Sequence, residues 1–293
     1  MKSLFFTVLF FLFSFSVSGQ KLSALWEELT ASDFVLAVKQ SEGVCVVPIG
    51  VIEKHGQQLP LGTDVYTARE ICRRATAKEY CIIYPYYFFG QIFEAMHQPG
   101  TIAYSSDLLL RMLEETCQEI SRNGIKKIIL VNGHGGNTAF LQYFCQIQMA
   151  SPRDYAVYYT TPSLSQEDQR KITELRKTTI GGHADEAETS AMMAVRPDLV
   201  KLDRATAESG VNQNRLQHVP SGLYLGIRWY SQYPNHYAGD AKDANATIGE
   251  IAIEGRAKTL ADMIKAVKND QVTIRLQNEF YKDSQTPLET KAR

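Results

Sequence analysis

Hydrophobic residues along this chain follow two different periods. Residues 44–50 (VCVVPIG) form a continuous apolar run of strand length. Unbroken rather than alternating apolarity marks a strand buried on both faces, as in a parallel sheet. Residues 81–84, 127–132 and 155–160 repeat that signature. Between these runs, residues 64–78, 105–123 and 138–149 carry apolar side chains at helical spacing. Thr63 or Asp64 offers an N-cap to the first of these helices, and Asn123-Gly124 a C-cap to the second. The order βαβαβαβ predicts a three-layer α/β/α fold with a mostly parallel central sheet.

The remaining segments are read with the same rules. Residues 22–29 and 31–39 read as short helices ahead of the first strand. Residues 163–180 are polar and partly helical, 185–195 form a helix stopped by Arg196-Pro197, 247–268 form a long helix, and 272–276 form a terminal strand. Residues 86–101 make an aromatic, glycine-containing loop long enough to carry function. Residues 205–243 are rich in Gly, Tyr, Asn and Gln without periodicity, which suits irregular structure around a site or a subunit contact. There is no internal repeat and no low-complexity linker, so residues 20–293 are expected to form one domain.

The first residues differ in kind. Met1-Lys2-Ser3 precedes an apolar stretch of about 14 residues that ends in Ser18-Gly19-Gln20, the pattern of a secretory signal peptide over residues 1–19. A spanning helix needs roughly 20 apolar residues, which weighs against an uncleaved anchor. The expected location is therefore periplasmic or secreted. Beyond it, a formal net charge of −1 with no basic block leaves nucleic acid without an electrostatic footprint. Membrane association after cleavage is equally unsupported. The five cysteines are odd in number and form no CxxC pair, so they read as small buried apolar residues; a Cys72–Cys81 disulfide is only weakly indicated.

Candidate chemistry gathers at strand ends. The segment from Glu53 to Asp64 (EKHGQQLPLGTD) follows the first apolar run. Glu53 and His55 leave one face of an extended backbone, and the Gly62-Thr63 turn brings Asp64 back towards them. His134 follows the third strand in NGHGGN, and Glu94 and His97 follow the second. In an open α/β sheet, ligands bind beyond the carboxyl ends of the strands. Convergence of His, Glu and Asp there suits a borderline divalent cation. Bland alternatives stand beside each piece. Asp64 also reads as a helix cap, Asn132–Asn137 as a tight turn with Asn137 capping the next helix, and Asp185 with Glu188 as a capping box. His97 reads as pocket lining before it reads as a ligand. The glycine loop lacks the Lys of a nucleotide-binding P-loop.

Taken together, the three motifs resemble the creatininase (creatinine amidohydrolase) family: Pro48 to Asp64, NGHGGN from Asn132, and HADEAETS from His183, with Pro99-Gly100-Thr101 also matching. The resemblance implies a three-layer α/β amidohydrolase with two adjacent divalent ions, Zn²⁺ or Mn²⁺ with Fe²⁺ as a further choice. Its ligands would be Glu53, His55, Asp64 as the bridging carboxylate, and His134. His183 matches a catalytic His that handles protons, and Glu188 a Glu close to the metals. The implied reaction is cleavage of a small C–N amide bond, cyclic or formyl in type, by a metal-activated water, in a homo-oligomer such as a hexamer. Creatinine-specific members carry Tyr and a metal-binding Glu where this chain has Gly135 and Gly136. Glu188 is the expected substitute ligand, and Asp185 or Glu186 the expected orienter of His183. The alternatives are a metal hydrolase of another bond class and an exported metal- or ligand-binding protein without turnover.

Overall fold

The computed structural model describes residues 22–289; the signal-peptide expectation lies outside the described residues. Four strands, β1 (Val44–Ile49), β2 (Ile82–Ile83), β3 (Lys127–Asn132) and β4 (Ala156–Thr160), pair in the order β2-β1-β3-β4, all parallel. Side chains alternate across β1. Cys45, Val47 and Ile49 enter one core with Leu113, Cys117, Leu141 and Phe144. Val44 and Val46 enter the other with Ile71, Ala75, Ile253 and Leu260. That is why the run is apolar at every position. The first core is closed by α1 (Ala31–Gln40), α3 (Ser106–Arg122) and α4 (Asn137–Ile147). The second is closed by α2 (Thr63–Lys78), α6 (Glu186–Val195) and α8 (Ala246–Asn269). The three-layer expectation holds.

Two departures have local causes. Residues 22–29 form only a 3₁₀ turn at Trp26–Glu28. Ile83 N–H donates to the Ala24 carbonyl at 2.7 Å, so this segment runs beside β2 instead of coiling into a helix. Residues 272–276 open a helix, α9 (Thr273–Ser284), rather than a strand. Asp270 Oδ1 accepts from Val272 N and Thr273 N, turning the chain into its first helical turn despite the β-branched run. All five cysteines are free, four of them buried, and burial pushes the Cys81 thiol up to about 12.

Three further elements matter for the site: α5 (Gln166–Leu175), α7 (Arg228–Gln232), and an antiparallel pair of β5 (Gly181–His183) with β6 (Ala238–Gly239). β2 lies on one side of β1 and β3 on the other, so a crevice opens at the β1/β3 switch point. Ile49 pairs with Asn132, which brings the two strand ends level. Gly50 lets α2 close on this edge, since a Cβ there would lie 2.6 Å from Val65 N. Gly249 does the same for α6 against α8, where a Cβ would meet the Ser190 carbonyl at 1.8 Å. Among the described residues no helix is long and apolar enough to cross a membrane.

Gly249→Ala is expected to push α6 from α8 and cost roughly 1–3 kcal/mol, read as a lower midpoint in urea unfolding. An unchanged midpoint would show that the helices separate at no cost.

Candidate metal centre

Glu53, His55, Asp64, His134 and His183 converge in one buried cluster, with Glu188 at its edge. The loop after β1 supplies Glu53 and His55; Glu53 N–H donates to the Leu61 carbonyl at 3.1 Å, which folds the loop back onto α2. Asp64 lies in the first turn of α2, but the helix is capped at Gly62 and the Asp64 carboxylate turns into the site. Its Oδ1 is 3.1 Å from His55 Nε2 and its Oδ2 3.2 Å from His134 Nδ1. One carboxylate thus addresses two imidazoles, one with each oxygen. Glu53 Oε1 lies 2.8 Å from His134 Nδ1, yet makes no hydrogen bond, and Asp64 Oδ2 has none either. Buried acceptors left in that condition are costly, and a cation between them removes the cost.

The charges show the same need. Burial opposes the charged form of His55, but Asp64 and Glu53 outweigh it and hold this imidazole at about 10. Burial likewise opposes charge on His134, which Glu53, Asp64 and Glu94 raise well above the ordinary His range. Without metal, protons on these rings do the neutralising. His183 goes the other way: burial, then the neighbouring His55 and His236, lower it to about 3 against the pull of Glu53. Neutral His183 donates from Nε2 to the Lys54 carbonyl at 2.8 Å. That fixes its tautomer and leaves Nδ1, 3.7 Å from Glu188 Oε2, as the atom free to take a proton. Glu188 is itself raised to about 7, chiefly by burial.

The expected orienter of His183 is corrected. Neither Asp185 nor Glu186 orients His183. Asp185 caps α6 through Ala187 N and Glu188 N, and Glu186 accepts from Lys177 N and from Thr178 N and Oγ1. Glu188, the expected substitute ligand, joins the cluster from α6. It lies with His55 and His183, and its Oε2 accepts from Ala184 N at 2.6 Å. The space beside Gly136 belongs to Glu94, whose Oε1 would be 2.4 Å from a Cβ there and is 3.6 Å from His134 Nε2. Gly135 differs: a Cβ there would meet nothing within 4 Å. Asn137 caps no helix; its Oδ1 accepts from Gln91 N and ties down the aromatic loop. His97 is structural, its Nε2 bonded to the Pro234 carbonyl at 2.8 Å.

Sequence reading missed His236. Its Nε2 makes a short contact with Glu53 Oε2, and its Nδ1 accepts from Trp229 Nε1 at 2.9 Å. β6 follows His236 directly and pairs with β5, setting the His236 and His183 rings 4.5 Å apart. Its one legible signal was being a rare histidine in the aromatic segment expected near the site.

Comparison with known proteins now has a geometry to meet. The sequence profile of the creatininase family, described as creatinine amidohydrolase, matches residues 27–264. The chain belongs to the creatininase family. It is 25% identical over 252 residues to creatinine amidohydrolase of Pseudomonas putida, covering 81% of this chain and 95% of that one. It is 23% identical to 3-dehydro-scyllo-inosose hydrolase of Thermotoga maritima, covering 83% of each. It is 26% identical to the mycofactocin precursor peptide peptidase of Mycolicibacterium smegmatis, covering 77% and 86%. A crystal structure of creatinine amidohydrolase superposes with TM-score 0.72 at 22% identity, over 85% of this chain and 99% of that one, so the fold is shared.

His236→Ala should leave the fold intact but free Glu53 to turn, lowering divalent-metal affinity about 10- to 100-fold. Competition with a chromogenic chelator measures this; unchanged affinity would make His236 mere packing.

Proposed function

We propose that this chain, a metal-dependent amidohydrolase of the creatininase family, hydrolyses a C–N amide bond of a small molecule, cyclic or formyl in type, with two divalent ions held by Glu53, His55, Asp64, His134 and Glu188. The observation that carries this reading is Asp64 placed between two imidazoles inside a buried cluster of unpaired acceptors. Glu53, Asp64 and His134 form one group of possible donors and His55, His183 and Glu188 another, with Asp64 Oδ1 3.1 Å from His55 Nε2. Solved creatininases include a manganese form and a zinc–zinc form, and imidazole with carboxylate suits either metal here.

When bound, the ions supply a water of lowered pKa and polarise the scissile carbonyl. The residues supply the rest. Glu53 is held through Oε2 by His236, with its Oε1 2.8 Å from His134 Nδ1. Glu94 faces the far nitrogen of His134, as carboxylates do behind metal-ligating histidines. His183, with Nε2 committed to Lys54, moves a proton at Nδ1 towards the leaving nitrogen. Creatinine is not the expected substrate, because Gly135 stands where the creatinine-specific members carry Tyr. The relatives act on chemically distinct substrates, so the substrate is set by this chain's own pocket. Export rests on the signal-like residues 1–19, and N-terminal sequencing of the mature protein, expected to begin near about Gln20, tests it. Assembly as a homo-oligomer rests on the family resemblance alone.

Metal analysis tests the centre. Two ions per chain in the native protein, falling to one in Glu188→Ala, are expected; one ion unaffected by the change would reduce the site to a single-metal centre. His183→Ala should retain metal and lose about 10²–10⁴-fold in kcat on a hydrolysed amide. Lost metal would make His183 a ligand, and an unaffected rate would remove it from the chemistry.

A further inference from the structure

A cavity of about 360 Å³ opens directly onto the centre. Asp64, His134 and Glu188 line one side, and Gly135 leaves that side open. Arg256 of α8 and Arg176 at the end of α5 line it as well. The guanidinium of Arg256 is unusual in this molecule. Elsewhere, arginines withdrawn from solvent are matched: Arg69 with Glu27, Arg74 with Glu70 and Glu250, Arg153 with Glu114. Arg256 makes no hydrogen bond or ion pair with any described residue, although it is only half-exposed and faces the field of Glu188. Arg176 donates from Nη2 to Asp185 Oδ2 and to Thr178 Oγ1, each at 3.4 Å, while its Nε is buried without a partner.

A partly desolvated guanidinium without a partner, as at Arg256, is costly, and its planar fork matches a carboxylate. The cluster's own carboxylates do not fill this role. Glu188 is tied to Ala184 N, and with ions in the centre Glu53, Asp64 and Glu188 no longer balance the two cations. The remaining walls mix small apolar side chains, among them Ala68 and Ala252, with polar ones such as Thr67, Asn132 and Gln169, and leave space for a small body between the centre and the guanidiniums.

We propose that this cavity receives a carboxylate of the substrate on Arg256, with Arg176 beside it, so that the bond presented to the centre belongs to a small acidic amide. The inference rests on the amidohydrolase reading above and adds the substrate's charge to it.

Calorimetric titration of the metal-loaded protein with N-acetylglycine and with its neutral counterpart N-acetylglycinamide tests it, independently of turnover. The acid is expected to bind about tenfold tighter or more. Arg256→Met should abolish that preference with metal content unchanged, and Arg256→Lys should restore part of it, showing that the site is still folded. Equal binding of the two compounds, no binding of the acid, or a preference that survives in Arg256→Met and in Arg176→Met would overturn the proposal. Turnover of the same pair separates the two readings. Hydrolysis without preference for the acid removes the carboxylate site alone. Preference without hydrolysis of these or other small amides leaves the carboxylate site and removes the amidohydrolase.

Discussion

Two carboxylates, those of Glu53 and Asp64, are gathered in the interior of this protein, with a third, that of Glu188, at the edge of the same cluster. Like charges in a poorly solvated place repel and resist ionisation, so the arrangement persists only if positive charge is delivered into it. The four surrounding imidazoles deliver it weakly, and one of them, His183, is kept neutral. Divalent cations deliver it well. Much of the local architecture is a consequence of keeping these repelling groups in place until the cations arrive.

Each carboxylate is held by a different means. Glu53 is secured from behind by His236, itself fixed by Trp229. Asp64 rides on the first turn of α2, where the positive end of the helix dipole favours its charge. Glu188 closes back onto Ala184 N, a residue held at positive φ. The neighbouring loop is pinned by Lys54, whose buried ammonium reaches Glu208 and the Asn235 carbonyl, joining the first site segment to the long irregular one. The centre therefore depends on contacts between segments far apart in the chain.

That dependence explains what was legible beforehand. Glu53, His55 and Asp64 lie within one short stretch after an apolar strand, and His134 follows a second such strand; strand ends and turn chemistry are local, so these residues were readable as a group. His236 was not, because its position is set by pairing of β5 with β6 and by Trp229, neither visible in local pattern. Glu94 was noticed at a strand end, but its role at Gly136 required knowing that the two loops touch. Residues 272–276 were misread because β-branched composition suggested a strand, whereas Asp270, by binding the following amides, began a helix. The layered fold was legible throughout, because burial on both faces writes continuous apolarity into a strand.

The contact between Glu53 and His236 joins residues 183 positions apart. During synthesis, Glu53 and His55 emerge long before Glu188 and His236. In that interval the chain offers isolated side chains, which bind ions weakly and without discrimination. Because the free energy of metal capture becomes available only as the site folds, the ion is chosen where folding ends, not where translation begins. The spread of these residues along the sequence thus works as a timing device: a complete set of donors exists only once the chain has folded.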